Sequence, residues 1–149
     1  MSKVVAILGG ERELGQRIRK PVDFDDVIKK GMPWAALYHI KKTYNLPEEA
    51  LARIIGVSLR TVVRRKNVPQ KAESTAKRLS PVESDRLYRF ARIVALAEDV
   101  FESREDAIEW LNSTQHGLGG AVPISMLQTD AGSREVEELL LRTEHGVIS

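Results

Sequence analysis

The longest apolar pattern in this chain has the period of an α-helix. Between residues 84 and 101 the apolar side chains recur at spacings of three and four, and a second apolar row runs beside the first. So broad an apolar surface must be covered on more than one side, either by a small helical bundle or by an interface. Only 5% of the residues are aromatic, whereas Ala, Leu, Arg, Glu and Lys are abundant. The sequence therefore predicts an all-α fold.

Charge is divided unequally along the 149 residues. Residues 1–80 carry 17 Lys and Arg against 8 Asp and Glu, whereas residues 81–149 carry 6 against 13. The formal net charge of +2 thus hides halves of +9 and −7. A basic half suits a polyanion, and an acidic half suits a different partner, most simply another protein. With 42% hydrophobic residues, a chain of this length supports two small helical modules.

No segment of the sequence has the pattern of a membrane-spanning helix or of a signal peptide. The N-terminal apolar run at residues 4–8 is shorter than the roughly 7–15 residues of a signal-peptide core, and the chain has no cysteine. We therefore expect a cytoplasmic protein that does not enter membranes. Gly9 and Gly10 follow the run without the rest of a phosphate-binding motif. Residues 1–22 are interpreted as an arm, either docked or frayed.

Prolines, glycines and capping residues divide the chain into short helices. Gly31 suits the left-handed position after one helix, and the next helix is expected to end near Asn45. Ser103 and either Thr129 or Asp130 are predicted to begin two later helices. Residues 69–81 lack a sustained apolar face, which indicates a linker or short arm.

Residues 48–67 have the form of a helix-turn-helix. Ala52 is small where two helices must approach closely, Gly56 suits the turn between them, and Ser58 is placed to cap the second helix. The predicted DNA-binding residues are Ser58, Leu59, Arg60, Thr61, Arg64, Arg65 and Lys66. The alternative is that the pattern belongs to an ordinary small helical domain whose arginines form a solvated face.

The basic side chains of this segment divide into two expected roles. Arg60 and Arg64 are expected to read base edges in the major groove. The expected phosphate contacts are Arg65, Lys66, Lys71, Lys77 and Arg78. Arg65 departs from the usual pattern, because an apolar residue is common at its position, so its stem is expected to cover the core while its charge reaches solvent.

The acidic half carries an ordered set of residues that resembles the toxin-binding domain of the Xre/MbcA/ParS antitoxins. The set comprises Trp110-Leu111, Leu118-Gly119-Gly120, Pro123 with Leu127, Thr129 and Gly132, Val136 with Leu140, and Arg142 through Gly146. Upstream, Leu8-Gly9-Gly10 and the helix-turn-helix around Gly56 resemble the N-terminal half of Xre antitoxins. The resemblance covers nearly the whole chain.

This resemblance implies an antitoxin of a type II toxin–antitoxin system, encoded beside a RES-domain toxin that consumes NAD. It implies that the C-terminal domain dimerises and covers the active site of the toxin, while the N-terminal domain binds the promoter DNA of its own operon. The positions assigned to toxin contact are Leu118, Gly119, Gly120, Arg142, Glu144, His145, Gly146 and Val147. The expected organisation is an arm at 1–22, a helix-turn-helix domain at 23–68, a linker at 69–81 and a toxin-binding and dimerisation domain at 82–149.

Nothing in the sequence indicates catalysis. The three histidines, at positions 39, 116 and 145, lie too far apart for a zinc motif, and adjacent carboxylate pairs point to different helix faces. We therefore expect no enzyme activity, no metal and no cofactor. Two alternatives remain: a stand-alone helix-turn-helix regulator whose acidic domain serves only dimerisation, and an interaction adaptor without a role on DNA.

Overall fold

The computed structural model describes residues 2–67 and 77–144, and all regular elements in these two ranges are helical, which confirms the all-α prediction. In chain order the helices are α1 (Ser2–Ile7), α2 (Gly10–Leu14), α3 (Pro21–Lys30), α4 (Trp34–Tyr44), α5 (Glu48–Ile55), α6 (Leu59–Lys66), α7 (Pro81–Phe101), α8 (Arg104–Leu111) and α9 (Asp130–Glu144). Two 3₁₀ turns lie at His116–Leu118 and Pro123–Met126. The chain divides into two compact units, Met1–Tyr88 and Arg89–Ser149, which we describe separately.

The N-terminal arm folds into two short helices. The buried side chains of this segment are Val4, Val5, Ile7, Leu8 and Leu14. Gly9 and Gly10 have φ values of 102° and 89°, which only glycine adopts readily, and the chain changes direction there between α1 and α2. Helices of six and five residues are not stable alone, so the burial of this apolar run holds them in place. The frayed-terminus alternative for this segment is therefore wrong.

Local capping sets the bounds of α3 and α4. The Asp23 carboxylate accepts hydrogen bonds from the backbone N–H of Arg19 at 2.7 Å and of Lys20 at 3.0 Å, which closes the start of α3. These two backbone hydrogen bonds also hold the pKa of Asp23 below its ordinary value of 3.8. α4 ends at Asn45, whose φ of 52° is left-handed. The ends of both helices confirm the sequence prediction, but Gly31, with a φ of 93° and a ψ of 124°, lies outside the left-handed helical region that was expected there.

The residues around Gly31 are joined to the segment that precedes α7. Met32 accepts a hydrogen bond from the Leu79 N–H and donates one to the buried Ser84 hydroxyl, both at 2.7 Å. Gly31 has a φ of 93°, and a Cβ at this position would lie 2.3 Å from the Leu79 carbonyl oxygen. The segment around Leu79 is therefore packed within the first unit, against the residues that follow α3. Residues 69–76 of the predicted linker lie outside the described residues, and its last residue, Pro81, begins α7.

The second unit is a bundle of the C-terminal part of α7 with α8, α9 and the 3₁₀ turns. Its larger buried side chains are Phe90, Ile93, Val94, Leu111, Leu127, Val136, Leu139 and Leu140. The Ser103 hydroxyl accepts the Asp106 N–H at 3.1 Å to begin α8, and the Thr129 hydroxyl accepts the Gly132 N–H at 3.0 Å to begin α9. Both caps were predicted. Within residues 2–67 and 77–144, no helix is both long and apolar enough to span a bilayer.

Candidate functional site

The turn between α5 and α6 has helix-turn-helix geometry. Gly56 is left-handed with a φ of 74°, and the N–H groups of Gly56 and Val57 both donate to the Ala52 carbonyl, at 2.9 and 3.0 Å. The Ser58 hydroxyl accepts the Thr61 N–H at 3.1 Å and so caps α6. The structure therefore places the turn and the cap where the sequence predicted them.

Arg86 gives Gly56 a second reason to be glycine. Its guanidinium Nη1 donates to the Ile55 carbonyl at 3.3 Å, and a Cβ at Gly56 would lie 2.1 Å from that nitrogen. Arg86 thus covers the turn from α7. The sequence carries no local signal for this contact, because Arg86 lies 31 residues from Ile55.

The outer face of α6 presents two arginines beside two apolar side chains. Arg60 and Arg64 are exposed, and neither side chain has a hydrogen bond or ion pair with another described residue. Leu59 is 40% exposed and Val63 42%. Sequence reasoning included Leu59 but missed Val63, although its position four residues after Leu59 puts the two on one helix face.

Arg65 is held inside the fold, which corrects its predicted role at phosphates. Its guanidinium lies 4.5 Å from the centroid of the Trp34 ring, and its Nη1 is 2.9 Å from both carboxylate oxygens of Glu83. Its Nη2 donates to the Arg78 carbonyl at 2.8 Å, and the Arg65 side chain is only 20% exposed. The aliphatic part of the Arg65 side chain covers the core as expected, but its guanidinium forms an ion pair with Glu83 instead of reaching solvent. We therefore withdraw Arg65 from the proposed DNA contacts.

Lys66 remains accessible although it is paired. Its Nζ lies 2.8 Å from Glu48, and 51% of its side chain is exposed. The hydrogen bond to Glu48 raises the pKa of Lys66 above 10.5. Lys77 and Arg78 are also exposed, whereas Lys71 lies outside the described residues.

The Arg65–Glu83 pair predicts an acid-sensitive contribution to stability. Burial alone would raise the pKa of Glu83, but the Ser80 N–H and the Arg65 guanidinium outweigh it, so the pKa lies below the ordinary 4.5. A carboxylate with a lowered folded pKa stabilises the fold above its unfolded pKa and loses that effect as pH falls through the folded value. Glu83→Gln is expected to cost about 1–3 kcal/mol near neutral pH, with a loss that shrinks as the solution becomes acidic.

Urea unfolding of the parent chain and of the Glu83→Gln variant, between about pH 7 and about pH 3, measures the difference in their free energies of unfolding. Glu49→Gln, at an exposed position in the first turn of α5, is the control and should cost less than about 1 kcal/mol, the usual effect of a charge at a helix N-terminus. A constant gap between the Glu83→Gln variant and the parent chain across this range would contradict the ion-pair explanation.

The loop before α9 is closed by its own backbone. The Gln115 N–H donates to the Ala121 carbonyl at 3.0 Å, and the Gly120 N–H donates to the Gln115 carbonyl at 2.9 Å. Gly119 and Gly120 have φ values of 65° and 86°, and a Cβ at either position would meet nothing within 4 Å. Their glycine requirement is therefore conformational. The open space above them is accessible to the backbone of a partner.

α9 supports this loop through a close backbone approach. A Cβ at Gly132 would lie 2.2 Å from the Met126 carbonyl oxygen, so the helix packs directly on the Pro123–Met126 turn. Arg89 donates to the Leu127 carbonyl at 3.3 Å. These contacts fix the position of the turn between the loop and α9.

The predicted toxin-contacting residues lie in two places. Leu118 is half-buried in the loop beside Gly119 and Gly120, and Arg142 and Glu144 are exposed on the last turn of α9. His145, Gly146 and Val147 lie outside the described residues. In the part of the chain that the structure describes, no three His, Asp or Glu side chains group as metal ligands.

Comparison with known sequences matches each part of the chain to a protein family. Residues 23–92 match the family described as the antitoxin Xre-like helix-turn-helix domain, and residues 96–146 match the antitoxin Xre/MbcA/ParS C-terminal toxin-binding domain. The Antitoxin Xre of Yersinia enterocolitica is 32% identical over 139 residues, which cover 93% of this chain and 89% of that protein. The chain belongs to the Xre antitoxin family.

Two other relatives are also similar in sequence to this Xre-family chain over most of its length. The Antitoxin Xre of Photorhabdus laumondii is 32% identical over 124 residues, covering 83% of this chain and 79% of its own. A Sphingobium protein named Prs ADP-ribosylating antitoxin is 30% identical over 138 residues, covering 87% of this chain and 82% of its own. The helix-turn-helix match includes α6, and the toxin-binding match includes the loop at 115–121 and the described part of α9.

Proposed function

We propose that this Xre-family antitoxin is the neutralising partner of a RES-domain, NAD-degrading toxin in a type II system, and that it represses its own promoter. The observation that carries the proposal is the order of the two matched domains, a helix-turn-helix followed by a toxin-binding domain. The charge division supports it, because the basic half suits DNA and the acidic half suits a protein partner.

The proposed toxin contacts are the open loop and the end of α9. Leu118 offers a partly exposed apolar side chain, and the space over Gly119 and Gly120 admits a close backbone approach. Arg142 and Glu144 continue toward His145, Gly146 and Val147. We propose that this end of the chain covers the active site of the toxin.

The name of the Sphingobium relative supports an NAD-consuming partner. It links an antitoxin to ADP-ribosylation, a reaction for which NAD is the usual donor. We assign the NAD chemistry to the toxin and none to this chain. Incubation of this chain alone with NAD is accordingly expected to leave the NAD intact.

The proposed DNA surface is the outer face of α6. A recognition helix places its early exposed side chains against base edges, and these are Leu59, Arg60 and Arg64 here. Lys66, at the end of the helix, is placed for phosphate contact. We also propose that the chain acts in the cytoplasm as a homodimer, for which Leu96 and Val100 on α7 offer half-buried apolar side chains.

Truncation after Thr143 tests the neutralising role. The protein encoded beside this gene should consume NAD, the full chain should suppress that consumption, and the truncated chain should suppress it at least about tenfold less, a loss of about 1.4 kcal/mol or more in complex stability. NAD consumption at equal toxin and antitoxin concentrations is the measurement.

Two point variants distinguish the loss of a toxin contact from a general loss of folding. Arg142→Ala, at the proposed interface, should weaken suppression, while Arg12→Ala, at another exposed arginine, on α2, should not. A neighbouring protein that stays fully active with every form of this chain would instead indicate the stand-alone regulator.

A further inference from the structure

The outer face of α6 is not purely cationic. Leu59 and Val63, at 40% and 42% exposure, are neighbours because four residues separate them on the helix. Arg60 and Arg64 repeat the same spacing on the adjacent row. The surface offered to a partner is therefore an apolar pair beside two guanidinium groups.

The rotation of α6 about its axis is fixed from its inner side. Val62 is fully buried, and Arg65 is held by the Glu83 carboxylate and the Trp34 ring. Because these residues anchor the inner face, the apolar pair stays on the outer face. Its exposure is thus imposed by the packing of the helix.

The apolar pair is too small to form a protein interface alone. Each of its two side chains is already more than half buried, whereas a standard protein interface buries about 800 Å² per partner. The arginines beside the pair, together with the net charge of +9 in residues 1–80, favour a polyanionic partner. On the major-groove edge of DNA, the apolar feature is the C5-methyl group of thymine.

We infer that Leu59 and Val63 recognise thymine methyl groups in the operator, beside the bases that Arg60 and Arg64 contact. This inference rests on the proposed promoter binding and adds what the half-site must contain. Arginine pairs most often with guanine, so the half-site has thymines next to guanines. Val63 becomes a specificity-determining residue.

The test compares two duplexes of the DNA upstream of this gene, one synthesised with thymine and one with uracil. Uracil pairs as thymine does but lacks the C5-methyl group. In gel-shift titrations at one fixed salt concentration, the unmodified chain should bind the uracil duplex about fourfold more weakly for each methyl group contacted. A scrambled duplex measures the sequence-independent background.

Variants assign this preference to individual residues. Val63→Ala should bind the thymine duplex more weakly and bind the two duplexes more nearly equally, and Leu59→Ala should behave alike. Val22→Ala is the matched control, because Val22 is a 50% exposed valine on α3 and its loss should leave the methyl preference unchanged. Arg60→Ala should weaken sequence-specific binding while keeping the preference for thymine.

Four results would overturn the inference. Sequence-specific binding that is equal on thymine and uracil duplexes removes the methyl contact and leaves promoter binding intact. A methyl preference that survives in both Leu59→Ala and Val63→Ala assigns it to DNA shape. If Val63→Ala changes the oligomeric mass but not the discrimination between thymine and uracil duplexes, the apolar pair contacts a second copy of the chain instead of DNA. The absence of any sequence-dependent complex removes promoter binding itself, and the inference with it.

Discussion

Gly31→Ala is expected to lower the free energy of unfolding by about 3 kcal/mol or more. With a φ of 93° and a ψ of 124°, Gly31 lies outside the left-handed helical region, and an alanine in that conformation is strained by roughly 1–3 kcal/mol. Its Cβ would also lie 2.3 Å from the Leu79 carbonyl oxygen, a backbone atom that moves only with its segment. That movement breaks the hydrogen bond from the Leu79 N–H to Met32, worth about 1 kcal/mol.

Gly10→Ala is the comparison at a glycine that has a positive φ but no clash. Gly10 has a φ of 89°, close to that of Gly31, but nothing lies within 4 Å of a Cβ built there. Its replacement should therefore cost only the conformational strain, about 1 kcal/mol. Urea unfolding of both variants measures the difference, and equal losses would show that the segment around Leu79 adjusts without cost.

Gly132→Ala is expected to destabilise the second unit by about 2–3 kcal/mol, against the ordinary helix preference. Alanine in place of glycine within a helix normally stabilises by about 1 kcal/mol. Here the added Cβ would lie 2.2 Å from the Met126 carbonyl oxygen, so α9 or the Pro123–Met126 turn must shift. Because that turn positions the loop with Gly119 and Gly120, suppression of the toxin should weaken as well.

Gly119→Ala is the comparison within the same unit. Its φ of 65° gives a strain of about 1 kcal/mol, with open space around the new Cβ. Thermal unfolding followed by circular dichroism ranks the two variants. A rise in melting temperature for Gly132→Ala would contradict the close approach of α9 to the turn.

The features that the sequence predicted well depend on contacts between near neighbours. Ser58 and Ser103 each accept an N–H three residues away, and Gly56 ends a helix through a carbonyl four residues back. Such contacts are determined by residue types that lie three or four positions apart in the sequence. The helix-turn-helix and the start of α8 could therefore be located from residue type and spacing.

The features that the sequence missed depend on distant contacts. α1 is too short to be stable by its own propensity and exists because its apolar side chains are buried. Leu79 meets Met32 across 47 residues, and Arg65 meets Glu83 across 18. No periodicity indicates either contact, so the sequence alone predicts a linker at the docked segment around Leu79 and a phosphate contact at Arg65.

Arg65 also separates what holds this domain together from what it recognises. The residues that anchor α6 face inward, whereas Leu59, Arg60, Val63 and Arg64 lie on its exposed outer face. Substitutions on the outer face can therefore accumulate at little cost in stability. Under the proposed promoter binding, duplicated copies of such a gene have a short route to operators of their own, and so to regulation without cross-talk in one genome.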